Sequence, residues 1–326
     1  MSECKAIVSK IRGPLAPILS AVDEQERLDI DSVCRWIDSL IDRGIRLFWT
    51  THGTTHFMCM TDDEIARLTQ AVADVTRGRA VFIASTAYHW PADECIAFIE
   101  RCAGWGVDVV KLQVDWRAWP PSGPLLLEHY RRIAQHSPLP LMAYTLLQPG
   151  ITPAMLKQII EIPQFVGLKN DSGDFYEQVA YLRVVEQTGL PFAVMTGGTM
   201  ESFLHAWHFG AQAFATGTAI YAPEVAIRFY EHLEQGRIDQ AAKIVQQVEL
   251  PLASGWASQG NHWACFHAAL YLQGFFKSPR LRFPLRGLDA AQIKQVQVLL
   301  EEHGMLAPRS SAAEGHAPSA HAVDRR

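Results

Sequence analysis

Between Leu15 and Leu233 the sequence alternates eight times between a short apolar run and a longer stretch with apolar residues at helical spacing. The short runs are Leu15–Leu19, Ile45–Thr51, Ala80–Ser85, Val107–Val114, Leu139–Tyr144, Phe165–Lys169, Phe192–Met195 and Ala213–Ala215. Apolar runs of this length, bounded by turn residues, read as buried strands. The stretches between them predict helices: Ile30–Arg43, Thr61 towards Val75, Pro91–Trp105, Leu125–Gln135, Pro153–Ile160, Phe175–Glu186, Met200–Phe209 and Pro223–Leu233. Thr61-Asp-Asp-Glu64 is a capping-box pattern, Thr152 is placed to cap the fifth helix, and Gly44 suits the residue after the first. Strict alternation gives a parallel sheet with helices packed outside it. Eight repeats predict an α/β fold of the closed (β/α)8 TIM-barrel type rather than an open sheet. No GxGxxG follows the first strand, so dinucleotide binding has no support. Three further helical stretches, Asp239–Glu249, His262–Gly274 and Ala290–His303, predict a C-terminal helical extension. The expected organisation is a segment over 1–12, the barrel over 13–235, the extension over 236–306 and a disordered polar tail over 307–326.

A net charge of −5 over 326 residues gives no basic field for nucleic acid and no polybasic membrane patch. No apolar run approaches the roughly 20 residues that span a bilayer. Met1-Ser-Glu-Cys-Lys lacks the basic start and apolar core of a signal peptide. The six cysteines show no CxxC pairing and are expected to be reduced, as in a cytoplasmic protein. His205 and His208, and His262 and His267, lack the surrounding carboxylates or cysteines of a metal site, so no metal is expected.

In a barrel the chemistry belongs at the carboxyl ends of the strands and in the loops after them. Those positions hold His52-Gly-Thr-Thr-His-Phe57, Tyr144, Lys169 and Thr196-Gly-Gly-Thr199. Regular alternation along the sixth strand predicts Val166 and Leu168 on one face, with Phe165, Gly167 and Lys169 on the other. A lysine at the end of an apolar strand, with a glycine two residues below it, has room to act as a Schiff-base nucleophile. Its amine must lose a proton held with a free pKa of about 10.4, and burial favours that loss. A tyrosine hydroxyl with a threonine relay can shuttle the protons. Hydroxyls and N–H groups of a Gly-Thr-Thr turn can hold a carboxylate without a competing cation. Taken one at a time, each residue has a plainer role: Tyr144 as a strand-end anchor, the threonines as turn formers, the glycines as backbone necessities. Their joint occurrence on successive active-face loops favours the functional reading.

Gly53-Thr54-Thr55, Tyr144 and Gly167-Leu-Lys169, at this spacing and with a helical extension, resemble the dihydrodipicolinate synthase / N-acetylneuraminate lyase family of class I pyruvate-dependent aldolases. The resemblance runs from about Gly13 to Leu306. It implies that Lys169 forms an imine with pyruvate or another 2-keto acid, that Tyr144 is the general acid/base and that Thr54 is the relay. It also implies that Thr55 binds the carboxylate, that Gly53, Gly197 and Ala215 line the keto-acid pocket, and that the protein is a homo-oligomer, commonly a tetramer. No cofactor beyond the imine is expected.

The departures fall on the second substrate. His56-Phe57 replaces the family's Gly-Glu. Tyr144-Thr-Leu-Leu-Gln-Pro-Gly150 lacks the arginine that grips the second carboxylate in the synthases, and Asp115-Trp-Arg-Ala-Trp119 lacks their tyrosine pair. Lysine biosynthesis is therefore not expected. Trp49, Phe57, Tyr88, Trp90, Trp116 and Trp119 fall near the predicted mouth and favour an apolar or aromatic aldehyde. Covering loops or subunit contacts is the competing role for these rings. His56 is placed to titrate near neutrality and move a proton, or to be a plain loop residue. The expected activity is a Schiff-base lyase or aldolase. The alternatives are a 2-keto-3-deoxy acid dehydratase or hydratase using the same imine, and a non-catalytic barrel that binds a keto acid or a partner.

Overall fold

The structure, a computed structural model, describes residues 3–114, 123–146 and 150–306. The expectations placed on 115–119, Trp116 among them, and on the tail 307–326 lie outside the described residues.

Eight strands pair in parallel, each with the next, and the last closes on the first. They are β1 (Gly13–Pro17), β2 (Leu47–Trp49), β3 (Val81–Ser85), β4 (Val109–Lys111), β5 (Leu141–Thr145), β6 (Phe165–Asn170), β7 (Ala193–Thr196) and β8 (Ala213–Ala215). Helices α1 (Ile30–Asp42), α2 (Asp62–Thr76), α3 (Ala92–Trp105), α4 (Gly123–His136), α5 (Pro153–Ile160), α6 (Phe175–Thr188) and α7 (Met200–Trp207) connect them. After β8 a short α8 (Thr218–Tyr221) leads into α9 (Pro223–Glu234). The protein is a (β/α)8 barrel.

The strands read as continuous apolar runs because both faces are buried. Val33, Trp36, Ile37 and Leu40 of α1 form one side of a cluster between the sheet and its helices. Leu15, Leu47, Ile83, Val109, Met142 and Met195 fill the barrel interior. The predicted capping box forms at α2, and Thr152 caps α5 through the Met155 N–H. A 3-10 helix over Glu3–Lys10, which no periodicity announced, sends Val8 and Ile11 into the interior cluster at the amino ends of the strands. Lys5 there bonds the Phe165 carbonyl that begins β6.

One expectation for β6 fails. Leu141 pairs with Phe165, but Met142 pairs with Gly167, so β6 carries one extra residue. This bulge puts Val166 in the interior cluster and Leu168 in the outer cluster beside Phe165. Regular alternation is lost for one residue and resumes in the new phase, which leaves Lys169 inside. Gly167 is needed at the bulge, because a Cβ there would stand 2.8 Å from the Ala193 carbonyl oxygen and 3.0 Å from the Met142 methyl.

The extension also differs from the sequence reading, which ended a helix at Glu249. Here α10 (Ile238–Ile244), a π-helical stretch (Val245–Glu249) and α11 (Leu250–Ser258) run on without a break. Pro251 has no N–H for the Gln247 carbonyl and would crowd it, and the widened turn just before it makes room. The extension is completed by α12 (His262–Leu272), packed against α8, and α13 (Ala290–Glu302). All six cysteines are free, and Cys95, Cys102 and Cys265 are buried. Among the described residues no helix is long and apolar enough to cross a membrane.

Candidate active site

A cavity of about 500 Å³ opens at the carboxyl ends of the strands. Lys169 and Tyr144 reach it from adjacent strands, paired directly across the β5–β6 ladder. Thr51, Gly53 and Thr54 line it from the loop after β2, Tyr88 from the loop after β3, and Ala215 from β8. A second cavity of about 450 Å³, between Glu24, Arg280 and Leu288, holds no lysine, cysteine or histidine in its lining. Lys169 and Tyr144 meet in the first.

The Lys169 side chain is 1% exposed, and its amine forms an ion pair with Asp171. Burial lowers its proton affinity below that of a free lysine, and the Asp171 charge opposes the shift. The same amine stands 4.7 Å from the centre of the Trp49 ring. Tyr144 is also buried, with Tyr88 and Asp171 acting on its hydroxyl. Burial first, then the Asp171 charge, pushes its hydroxyl far above the ordinary tyrosine range. It is held as a phenol, able to give a proton and take it back.

A second lysine lies in the interior. Lys111, at the end of β4, is fully buried; its amine donates to the Thr51 hydroxyl at 3.3 Å and lies 4.0 Å from the Trp49 ring centre. It also stands 5.0 Å from the Tyr144 ring centre. Burial, then the Lys169 charge, lowers its proton affinity well below the ordinary value.

The site residues named from sequence divide into two groups. Lys169, Tyr144, Thr54, Gly53 and Ala215 all line the cavity. Gly197 lies against its base: a side chain there would overlap the Lys169 amine and the Asp171 carboxylate. Thr55 is turned away from the cavity. It is fully buried; its hydroxyl donates to the Ile18 carbonyl at 2.7 Å and accepts from the Thr51 N–H at 2.9 Å. With its hydroxyl given to Ile18 and its N–H to the Thr51 carbonyl, it offers no donor to a carboxylate. His56 is 3% exposed, stacks on His267 at 5.4 Å and is pushed down to about 4 by burial, so it does not titrate near neutrality. Trp116 lies outside the described residues.

Of the aromatic mouth, Trp49 and Tyr88 line the cavity. Phe57 is buried in the outer core, and so is Trp90, whose indole N–H bonds Asp62 at 2.9 Å. The apolar wall comes instead from Met58, Leu146, Ile220 and the extension, where α12 supplies Trp263 and Phe266. Among the described residues no arginine lines the cavity. Three residues were passed over in the sequence. Asp171 reads as a solvated turn residue two places after Lys169, Lys111 as an interruption of an apolar strand, and Thr51 as the end of one. Strand-end position is the signal that could have marked all three. Among the described residues no three His, Cys, Asp or Glu side chains gather as metal ligands.

Similarity to known proteins agrees with this arrangement. The model of the dihydrodipicolinate synthetase family matches residues 10–303. An uncharacterised DapA-like lyase of Halobacterium salinarum is 26% identical over 302 residues, 91% of this chain and 95% of that protein. A probable 5-dehydro-4-deoxyglucarate dehydratase of Streptomyces avermitilis is 27% identical over 303 residues, 90% of this chain and 89% of its own. Among solved structures, YagE of Escherichia coli K12, a prophage protein of the dihydrodipicolinic acid synthase family in complex with pyruvate, superposes with a TM-score of 0.81. It covers 90% of this chain and 99% of its own at 19% identity. With a family model matching nearly its whole length and a barrel whose mouth holds Lys169 beside Tyr144, this chain belongs to the dihydrodipicolinate synthetase family.

Proposed function

We propose that the protein is a Schiff-base lyase or aldolase acting on pyruvate or another 2-keto acid. The observation that carries the proposal is the pairing of a fully buried lysine with a buried tyrosine at the mouth of the barrel. The free amine of Lys169 attacks the keto carbon and forms a carbinolamine. Tyr144 protonates the departing hydroxyl, water leaves and a protonated imine remains. Loss of a proton from the adjacent carbon gives an enamine, whose carbon attacks an aldehyde and forms a C–C bond; the reverse order of steps breaks one. Hydrolysis of the imine releases the product and the free lysine. Asp171 offsets the positive charge of the imine, and the Thr51 and Thr54 hydroxyls line the space left for the carboxylate. The apolar wall of Trp49, Met58, Trp263 and Phe266 suits an aldehyde with an apolar or aromatic body.

A dehydratase using the same imine is the second reading. The Streptomyces relative bears a dehydratase name, and Asp171 is a carboxylate within the cavity, able to take a proton from carbon. Lysine nucleophile and tyrosine acid both speak against a barrel that only binds, which would need neither. Borohydride added to the protein with pyruvate, followed by peptide mapping, tests the imine. A reduced adduct on Lys169, absent in Lys169→Ala, is expected. No adduct with pyruvate or with a panel of other 2-keto acids overturns the reading. Screening aromatic aldehydes against 2-keto-3-deoxy sugar acids then separates the two reactions.

A further inference from the structure

The loop after β2 brings Thr51, Gly53, Thr54 and Met58 to the cavity, and the extension holds that loop in place. Between α12 and α13 the chain crosses to the loops at the mouth of the barrel. Lys277 pairs there with Asp29 at 3.1 Å, Arg280 with Glu24 at 2.8 Å and Arg282 with Glu64 at 2.7 Å. The first two leave their cations mostly in water and contribute little. Arg282 differs. Its side chain is 20% exposed and that of Glu64 19%, and its guanidinium joins three segments of the chain. It grips both oxygens of the Glu64 carboxylate, at 2.7 and 2.8 Å, in the first turn of α2. It donates to the Glu26 carbonyl at 2.9 Å, in the loop after β1, and to the Cys59 carbonyl at 2.9 Å. Cys59 ends the 3-10 turn Phe57–Cys59, whose middle residue, Met58, lines the cavity.

Backbone strain falls at the same place. Glu26 and His56, with φ of 59° and 60°, are the two non-glycine residues in the left-handed region among those described. Such a conformation persists only where its surroundings hold it. Arg282 bonds the carbonyl of the first and the turn that directly follows the second, and the Phe283 N–H adds a bond to the Glu26 carboxylate at 3.2 Å. We propose that Arg282 is a positioning residue for the active site: it fixes the turn at Cys59, and through it the Thr51 and Thr54 hydroxyls that meet the carboxylate of the keto acid. Lys169, Tyr144 and Asp171 stand on β5, β6 and the turn after β6, apart from these bonds. Loss of the guanidinium therefore acts on the binding of the keto acid and leaves the reactivity of the lysine as it was. The inference rests on the imine reading.

The test is borohydride trapping over a range of pyruvate concentrations and of pH, in the unsubstituted protein, Arg282→Met and Arg282→Lys. Circular dichroism confirms that each is folded at the temperature used, and Arg282→Lys decides alone if the other variant does not fold. One weakened hydrogen bond to a carboxylate corresponds to about tenfold in affinity. In Arg282→Met the half-saturating pyruvate concentration is thus expected to rise about tenfold, with the maximal rate of Lys169 labelling and its pH midpoint unchanged. Arg282→Lys keeps the charge, but a single ammonium cannot span the carboxylate and both carbonyls, so a smaller rise is expected. Unchanged half-saturation in the folded variants would show that the loop is placed without Arg282. A maximal rate or pH midpoint that shifts along with it would show general distortion of the barrel. Either result overturns the inference while the imine reading stands. Absence of any adduct in the unsubstituted protein overturns both.

Discussion

Gly197 has no side chain because two others occupy the place where one would be. Its φ is not in the left-handed region, so the requirement is one of space and not of backbone freedom. A Cβ would overlap the Lys169 amine and the Asp171 carboxylate and stand 2.8 Å from the Asn170 carbonyl oxygen. Gly197→Ala is therefore expected to separate the ion pair and turn Lys169 from its line of attack. Misplacement of a reacting group on this scale costs about 10²-fold in rate. Overpacking costs only about 1–3 kcal/mol of stability, so the fold is retained. Trapping rate and circular dichroism on the same sample check this, and a variant trapping within threefold of the unsubstituted protein refutes it. The place of Lys169 and Tyr144 at the barrel mouth could be read from sequence because both stand at the carboxyl ends of apolar strands. Asp171 could not, because an acidic residue in a polar turn is ordinarily solvated, and only the fold brings it back over Lys169. Thr55 misled for a similar reason: the carbonyl that occupies its hydroxyl belongs to Ile18, distant in sequence.

Element boundaries were legible where local chemistry sets them and obscure where tertiary contacts do. The Thr61–Glu64 capping box marks the start of α2 in both sequence and structure. Pro251 reads as a helix end, yet the rod continues, since a π-helical stretch absorbs the misfit just before it. That stretch ends at Glu249, whose buried carboxylate accepts from the N–H groups of Met200 at 2.7 Å and Glu201 at 2.9 Å. An anion there meets the positive end of α7 and ties the extension to the barrel. Burial raises the Glu249 proton affinity, and the two N–H bonds oppose the shift without cancelling it. Glu249→Ala leaves the buried Met200 N–H and the partly buried Glu201 N–H without this partner and is expected to cost about 1–3 kcal/mol. Glu249→Gln keeps one acceptor and should cost roughly half as much. Urea unfolding of the three proteins decides the matter, and equal midpoints would show that the cap contributes nothing. The bulge in β6 has no comparable local signature, because it depends on how Met142 meets Gly167 across the ladder.

At the scale of the whole molecule, the barrel and its extension meet through a stack of rings. His56, in the loop after β2, packs edge-on to Trp263 at 5.5 Å and parallel to His267 at 5.4 Å, both on α12. Neither ring nitrogen of His267 has a hydrogen-bond partner among the described residues, and neither does Nε2 of His56. Burial holds His56 down to about 4, helped by the neighbouring His262, and holds His267 well below its ordinary 6.5, helped by His56. Both are therefore neutral in the folded protein and take up protons on unfolding. A base whose pKa is depressed by folding contributes stability above its unfolded value, and that contribution is lost as pH falls towards the folded value. For His56 the window runs from about 6.5 down to about 4, and the shift corresponds to about 3 kcal/mol. Carboxylates held low by bonding, such as Glu64 against Arg282, lose their contribution only below the ordinary carboxylate value of 4.5. A loss that begins near pH 6.5 and is well advanced by pH 5 is thus assigned to the histidines. Urea midpoints measured at pH 7.5, 6.5, 5.5 and 5 should be level between the first two and then fall. His267→Leu, which removes the most deeply buried base and its unpaired nitrogens, should flatten the fall. Trp263 and Phe266 of the same helix wall the cavity, so borohydride trapping should weaken over the same window and weaken less in His267→Leu. A urea profile in the unsubstituted protein that stays level to pH 5 would show that the buried stack does not govern the acid side of its stability.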